Sequence, residues 1–432
     1  MNFSNLFGQM NEIVEIKHFI RESFLSVKFY ALRIDYDLVD YEHQNICWTF
    51  SKIKRAIFLI LNGWISIIFL LFYVIYPHND YLISFDIFDE IFHSKRNDFI
   101  AIELIIVFIL RECLFFHHLN ELINYKSKIN DFLIRYWHYD DNELSFEFRY
   151  YLAQYYRKTR FIATISYRFF TIGALVIYLI FSHFTYYLNE CGQINLIQFI
   201  LSEIFFFLLI CQSIFLIGES LMMLIIIKIG IEFFLIRFKQ LSIESINLFK
   251  NSIQSSNRKR KLFWYRFHSD YVYLYSETEK FNSILRYILF IIELMSKSLI
   301  IICLLYYSQQ LKMHIQNTLV ILILIAMFFL INILNFRIAQ IPSYNRICWL
   351  SIHRWIARSQ WLNLKRKKSR NNLPLRYSFK SRLFLQTMTN NQFGFTCGRM
   401  FFISKFKYIQ MFIMNFHMAI KFYKKICLSQ NK

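Results

Sequence analysis

The chain has 432 residues, 56% of them hydrophobic, and carries a formal net charge of +21. Soluble globular chains are about 45–50% apolar, so the excess favours a membrane protein over a soluble enzyme or regulator. Lys and Arg avoid the long apolar runs and concentrate in alternate gaps between them. That distribution is typical of membrane topology and argues against a nucleic-acid-binding face.

Seven apolar runs are long enough to cross a bilayer as helices, which takes about 20 residues. The fourth run is longer than a bilayer requires, so its helix is expected to tilt or to project beyond the membrane. The seventh run is the least apolar, because it contains three lysines and a histidine. In chain order the predicted spans are Ala56 to Tyr76, Phe99 to Leu119, Phe161 to Leu188, Ile194 to beyond Ile227, Ser283 to Tyr306, Asn317 to Phe336 and Gly398 to Phe422.

The gaps between these runs alternate in basic residues, and the alternation predicts the orientation. Lys plus Arg number seven, seven, ten and twelve in residues 1–55, 120–160, 228–282 and 337–393. They number two, zero and one in residues 77–98, 189–193 and 307–316. By the positive-inside rule the first set is cytosolic, so the N-terminus is predicted inside and the C-terminus outside. If the seventh run did not insert, the C-terminus would stay inside, and Lys424 and Lys425 keep that alternative open.

The predicted fold class is therefore an all-α, multi-pass membrane protein, with seven transmembrane helices and cytosolic helical extensions. Residues 1–55 are predicted to form a cytosolic N-terminal region, and residues 56–336 hold the first six spans and their cytosolic helical loops. Residues 337–397 form a basic cytosolic loop and an amphipathic half-helix from Leu375 to Gln392. Residues 398–432 hold the last span and a short extracellular tail.

Sequence patterns of enzyme chemistry are absent: there is no GxxxxGK[ST], GxGxxG, HExxH or GxSxG. The eight cysteines show no CxxC pair and no zinc-ligand spacing. His117 and His118 are adjacent and point to different faces of a helix, which favours interfacial histidines over metal ligands. The protein is predicted not to be an enzyme and to need no cofactor or metal.

Ionisable residues occur inside the predicted spans, where an unpaired charge is costly and often functional. Glu103, Arg111 and Glu112 are candidates for an ion pair within the second span. Glu293 and Lys297 lie four residues apart in the fifth span, in the favourable order for a helical pair. Locking of helices is the favoured interpretation, and ligand contact is the alternative. The remaining ionisable residues stand alone in their spans: Arg168, Glu203 and Glu219.

Aromatic residues in the outer half of the third span are the candidate ligand-binding residues, namely Tyr178, Phe181 and Phe184. Ordinary packing between helices is the competing interpretation for all three.

Polar side chains in the seventh run fall on one helical stripe. Lys407, Gln410, Met414, His417 and Lys421 follow spacings of three, four, three and four residues. Such a stripe should face water or another polar stripe, and several copies around a symmetry axis could enclose a pore. Met414 would then form a narrow apolar ring. The alternative is an amphipathic helix that lies at the membrane surface.

The segment before this run carries a family resemblance. The sequence Gly394-Phe395-Thr396-Cys397-Gly398, followed by Met400-Phe-Phe-Ile-Ser404, resembles the approach to the last span of arthropod gustatory receptors, which belong with the insect odorant receptors. In that family the last helix closes with the pattern TYhhhhhQF, and Phe422 matches its final residue. Met414, Asn415 and Lys421 stand where the family has Thr, Tyr and Gln.

The resemblance implies a seven-helix subunit, inverted relative to G-protein-coupled receptors, that assembles as a homo- or hetero-tetramer with related receptors. The last helix would line a central cation pore, opened by a small-molecule tastant or odorant bound among the outer halves of spans 2 to 6. Lys421 would place a ring of ammonium groups in the outer pore, which favours anions or blocks cations.

Two other classes have seven or more spans. A G-protein-coupled receptor needs its N-terminus outside, and this sequence has no NPxxY in the seventh run and no DRY after the third. A secondary transporter often has helices broken by Gly or Pro and internal repeats, neither of which is visible here.

Overall fold

The computed structural model describes residues 36, 38–75, 98–137, 144–251, 257–309, 325, 328–329, 332–365, 375–390 and 393–429. Residues 1–35 and most of the sixth predicted span lie outside the described residues. Helices dominate the described part. Its elements are α1 (Leu38–Glu42), α2 (Phe50–Ile75), α3 (Asp98–Ile123), α4 (Lys128–Trp137), α5 (Phe146–Glu190), α6 (Leu196–Asn251), α7 (Asn257–Gln309), α8 (Ile341–Lys365), α9 (Leu375–Asn390), β1 (Thr396–Cys397), β2 (Phe401–Phe402) and α10 (Lys405–Ser429).

Three of the described helical segments are long and apolar enough to cross a membrane: Ile53–Ile75, Phe146–Glu190 and Leu196–Asn247. They coincide with the first, third and fourth predicted spans. Helix α3 covers the second predicted span, but ionisable residues such as Arg111 and Glu112 interrupt its apolar run. Helix α10 covers most of the last one and contains several lysines. The helices are those of a membrane protein, while the count of seven spans and their orientation stay predictions.

Three helices are much longer than a bilayer is thick. Helices α5, α6 and α7 contain 45, 56 and 53 residues. At 1.5 Å per residue they are about 68, 84 and 80 Å long, against a hydrocarbon core of about 30 Å. The fourth predicted span therefore does extend beyond the bilayer thickness. The polar, basic residues 257–261 already belong to α7, because they are mostly Lys and Arg, which are good helix formers.

The described residues fall into two compact units, drawn from Met1–Ile226 with Ile302–Ile323 and from Ile227–Ile301 with Leu324–Lys432. In the first unit α2 packs along α3, and Leu70 and Phe108 are buried between them. Helix α5 packs on α6 through a second apolar cluster that contains Phe181, Phe206 and Ile210. These two pairs of helices position the polar residues discussed below.

In the second unit, the last helix begins later than the predicted start at Gly398. Residues Thr396–Cys397 pair antiparallel with Phe401–Phe402, and Gly398 makes the turn with a φ of +58°. That left-handed conformation suits glycine and interrupts a helix. Helix α10 starts only after Ser404, whose hydroxyl accepts a hydrogen bond from the Lys407 N–H at 3.3 Å and so caps the first turn.

Candidate functional site

The segment before α10 is fixed by two buried phenylalanines. Phe393 packs against Phe238, Tyr271 and Tyr275, with ring centroids 4.6, 4.9 and 4.8 Å away. Phe395 is fully buried. Burial raises the pKa of Tyr271, so its hydroxyl stays protonated and donates a hydrogen bond to Asn345 Oδ1 at 3.0 Å. These aromatic residues therefore form a buried cluster that holds the segment leading into the last helix.

Gly394, between these phenylalanines, has a structural reason to lack a side chain. Its φ is +145°, and a Cβ added there would lie 2.8 Å from the Cζ of Phe402. A larger residue would be strained by this backbone conformation and would require the Phe402 ring to move.

The remaining motif residues bind one side of α7. The Thr396 N–H donates to Asn282 Oδ1 at 2.8 Å, and the Gly398 N–H donates to the Arg286 carbonyl oxygen at 2.7 Å. The Cys397 thiol lies 3.8 Å from the carbonyl oxygen of Leu289. These three α7 residues follow helical spacings of four and three, so the motif runs along one face of α7. The side chain of Phe422, the last motif position, lies outside the described residues.

The polar stripe of α10 faces away from the rest of the described chain. Gln410, Met414, His417 and Lys421 are exposed, and Met414 retains 59% of its accessible surface. Lys407 is half-buried, and its Nζ donates a hydrogen bond to Gln410 Oε1 at 3.0 Å. An exposed stripe on a mainly apolar helix is available to water or to another polar surface.

The opposite side of α10 carries a polar contact that sequence reasoning missed. Asn415 is only 3% exposed and lies near the carboxylate of Glu293 on α7. The same carboxylate accepts a hydrogen bond from Asn335 Nδ2 at 3.3 Å and lies 3.6 Å from Lys297 Nζ. The predicted Glu293–Lys297 pair is therefore present, as part of a larger cluster. Asn415 lies off the predicted stripe of α10, so the spacing argument did not include it.

Replacing Asn415 with alanine is expected to destabilise the protein by about 1–3 kcal/mol, because the buried carboxylate of Glu293 loses a polar neighbour. The measurement is thermal unfolding of the protein purified in detergent. His417→Ala is the matched control, since His417 is exposed on the same helix and should change stability by no more than about 0.5 kcal/mol. Equal unfolding temperatures for Asn415→Ala and the unmodified protein would contradict the expectation.

A second buried polar cluster lies in the first unit, between α2, α3 and α6. Arg111 Nε lies 2.7 Å from Glu219 Oε2, and its guanidinium also donates to the side-chain oxygen of Gln212. Gln212 Nε2 in turn donates to the Leu59 carbonyl oxygen at 3.0 Å. The prediction that Arg111 pairs within the second span is therefore wrong. Its partner is Glu219 on α6, which was predicted to stand alone. Adjacent Glu112 points to a different helix face, which makes it a poor partner for Arg111.

The candidate ligand-binding aromatics pack against α6 near the connection between α5 and α6. Phe181 and Phe206 have ring centroids 3.9 Å apart, and Tyr178 stacks on Phe206 at 6.2 Å. Phe184 is half-buried against the same cluster. The hydroxyl of Tyr178 lies near the carboxylate of Glu203, so the structure joins the predicted aromatics to a glutamate that the sequence left alone.

Thr185 completes this group. Its hydroxyl donates a hydrogen bond of 2.5 Å to Glu203 Oε1. Spacing could have suggested the grouping, because Tyr178, Phe181 and Thr185 share one face of α5 while Glu203 and Phe206 share one face of α6. The pairing of the two faces could not be read from either helix alone.

Comparison with known proteins identifies the fold. No protein-family model matches the chain, and no curated protein matches it in sequence. Among solved structures, the insect olfactory receptor OR5 from Machilis hrabei in complex with eugenol matches 98% of this chain and 100% of its own, with a TM-score of 0.57 and 11% identity. A second structure of the same receptor matches 94% of this chain and 95% of its own, with a TM-score of 0.54 and 12% identity. The chain thus has the fold of an insect olfactory receptor.

Proposed function

We propose that this protein is a chemosensory receptor of the gustatory type, acting in the plasma membrane as a ligand-gated ion channel. The observation that carries the proposal is the fold, which is shared with an insect olfactory receptor over 98% of the chain. That receptor was solved with a small molecule, eugenol, which supports a small-molecule ligand here. The resemblance of the segment from Phe395 to Gly398 to gustatory receptors supports the finer assignment.

The proposed pore is lined by the stripe of α10. One such helix cannot enclose a channel, so the proposal requires several subunits around an axis, as a homo- or hetero-tetramer with related receptors. The exposure of Gln410, Met414, His417 and Lys421 in the single chain leaves these side chains available to a central pathway. Asn415, on the opposite side, would hold each helix to its own subunit.

Ligand binding is proposed between α5 and α6, at Tyr178, Phe181 and Phe184. A ligand opens the channel only if it binds the open state more tightly than the closed one. Aromatic rings that already stack across the two helices can re-pack around a small organic molecule, and the difference in contacts would supply the free energy for opening.

Ligand-evoked current tests the proposal directly. The full-length protein, expressed alone in cells and stained at the surface, is expected to conduct when small volatile or soluble organic compounds are applied. If the protein reaches the surface but neither it alone nor its combination with related receptors gives ligand-evoked current, the channel proposal is wrong.

Topology separates this function from the G-protein-coupled alternative. An epitope tag at the N-terminus is expected to be stained only after permeabilisation, because the distribution of Lys and Arg predicts a cytosolic N-terminus. A tag at the C-terminus should be stained on intact cells. An N-terminal tag that is accessible on intact cells would contradict the channel proposal and favour a G-protein-coupled receptor.

A further inference from the structure

The partners of the Glu203 carboxylate differ from those of three other carboxylates in the long helices. Glu219 lies 2.7 Å from Arg111, Glu232 lies 2.6 Å from Arg337, and Glu293 lies 3.6 Å from Lys297. Each of these three carboxylates therefore has a basic side chain beside it. Pairing of this kind is the usual way in which a charge is tolerated inside a membrane protein.

Glu203 has hydroxyl partners instead. Thr185 donates a hydrogen bond to its carboxylate and the Tyr178 hydroxyl lies near it, while within the described part of the chain no Lys, Arg or His pairs with it. A carboxylate accepts about four hydrogen bonds, so these hydroxyl neighbours leave acceptor capacity on Glu203. The carboxylate is oriented by its neighbours and has no basic side chain among them.

Aromatic rings surround the position from both helices. Phe206 and Phe207 follow Glu203 by three and four residues and lie on its face of α6. Tyr178 stacks on Phe206 and meets Phe207 edge to face at 5.8 Å. A carboxylate among aromatic faces is the arrangement that binds an organic ammonium group, because the charge pairs with the carboxylate while the rings contribute cation–π attraction and apolar contact.

The position is close to one end of the two helices. Glu203 is two turns from the start of α6 at Leu196, a distance of about 10 Å along the axis. The connection at residues 191–195 has no Lys or Arg, and Cys191, Gln193 and Asn195 are exposed. This connection is predicted to lie outside the cell, so a ligand in the external medium would have a short route to Glu203.

We propose that Glu203, with Tyr178 and Phe206, binds the ammonium group of a small aryl-alkyl amine. The inference rests on the proposed receptor function for its biological meaning, and it names the chemical class of the ligand. The ammonium group donates to the Glu203 carboxylate, and the aryl group packs among the rings of α5 and α6. A neutral ligand of the same shape gains only the packing of its aryl group, because it has no ammonium group to pair with Glu203.

Binding to the purified full-length protein tests the inference. Thermal unfolding in detergent is followed with increasing 2-phenylethylammonium and, separately, with 2-phenylethanol. The amine is expected to raise the unfolding temperature at lower concentration than the alcohol. Glu203→Gln keeps the shape and one acceptor oxygen but removes the charge, so amine affinity should fall by about tenfold or more while alcohol affinity is unchanged.

Glu190 provides a matched control. It is exposed and accepts a hydrogen bond of 2.6 Å from the Tyr186 hydroxyl, so it is also a glutamate paired with a tyrosine on α5. Glu190→Gln should leave amine binding unchanged. Equal amine binding by Glu203→Gln and the unmodified protein, or no preference of the unmodified protein for amine over alcohol, would overturn the inference.

A photoreactive probe needs no variant and keeps the inference testable if Glu203→Gln does not fold. A diazirine-bearing phenylethylammonium should label the unmodified protein within residues 178–207, and labelling only elsewhere contradicts the proposed site.

Bilayer nanodiscs distinguish a soluble amine from a lipid headgroup. Stabilisation by ethanolamine lipids, with no response to the soluble amine, would assign the site to a lipid and overturn the inference.

The same variants separate this inference from the channel proposal. Amine binding that depends on Glu203 without any ligand-evoked current would support the binding site and contradict the channel. Current evoked by neutral compounds, with amine binding unaffected by Glu203→Gln, would support the channel and overturn the ammonium site.

Discussion

Replacing Arg111 with alanine is expected to remove most of the folded protein from the cell surface. The guanidinium is only 6% exposed and pairs with Glu219 on another helix. Removing one partner of a buried ion pair leaves the other charge uncompensated and costs about 3–5 kcal/mol. That loss is a large fraction of the roughly 5–15 kcal/mol by which a typical domain is stable. Gln212 would lose its contact with Arg111 as well.

Surface staining and thermal unfolding in detergent measure this effect. Arg168→Ala is the control, because Arg168 is an exposed arginine within a predicted span. Removing both charges together, as Arg111→Met with Glu219→Leu, should be less damaging than Arg111→Ala, because no buried charge is left unpaired. Arg111→Lys is expected to fall between the two, since an ammonium cannot reproduce the planar hydrogen bonding of the guanidinium. Normal surface staining and unfolding of Arg111→Ala would show that the pair does not stabilise the fold.

Lys421→Gln is expected to give the largest functional change, by increasing cation conduction. Lys421 is exposed on the stripe of α10, so a tetrameric pore would contain four ammonium groups at this level. At about 7 Å in water each repels a monovalent cation by about 0.6 kcal/mol, and four together raise the barrier by about 2 kcal/mol. After partial screening by salt, the expected increase in cation conductance is about tenfold, with a shift of the reversal potential toward cation selectivity.

Lys405→Gln controls for a general effect of removing a lysine, because Lys405 is exposed on the same helix but is not part of the stripe. Met414→Ala tests the stripe independently and should change gating or conductance without changing charge. If neither Lys421→Gln nor Met414→Ala alters reversal potential, conductance or gating, then α10 does not line the pore and the surface-helix alternative is favoured.

The helices themselves could be predicted because their signals are local. Long apolar runs give α2, α5 and α6, and the periodicity of residues 375–392 gives α9 almost to its ends. The start of α10 was placed too early because apolar residues continue through the hairpin at Phe401–Phe402. The hairpin and α10 are distinguished only by the left-handed backbone conformation of Gly398 and the helix cap at Ser404.

The polar contacts between helices could be predicted only in part. Glu293 and Lys297 were found because they are four residues apart on one helix. Arg111 and Glu219 are 108 residues apart in the chain, and periodicity carries no information about partners at that distance. Asn415 and Glu203 were visible as exceptions on apolar helices. Their roles depend on which faces of other helices they contact, and those contacts are known only from the folded structure.

The separation between Arg111 and Glu219 also has a consequence for biosynthesis. A ribosome that adds about 5–20 residues per second needs about 5–20 s to make the 108 residues between them. During that interval the second hydrophobic segment carries an arginine whose acidic partner has not been translated. Because a lone arginine disfavours insertion, this segment should wait at the translocon, or depend on a membrane chaperone, until α6 emerges. Arg111, which stabilises the folded subunit, would then limit the rate at which the subunit inserts into the membrane.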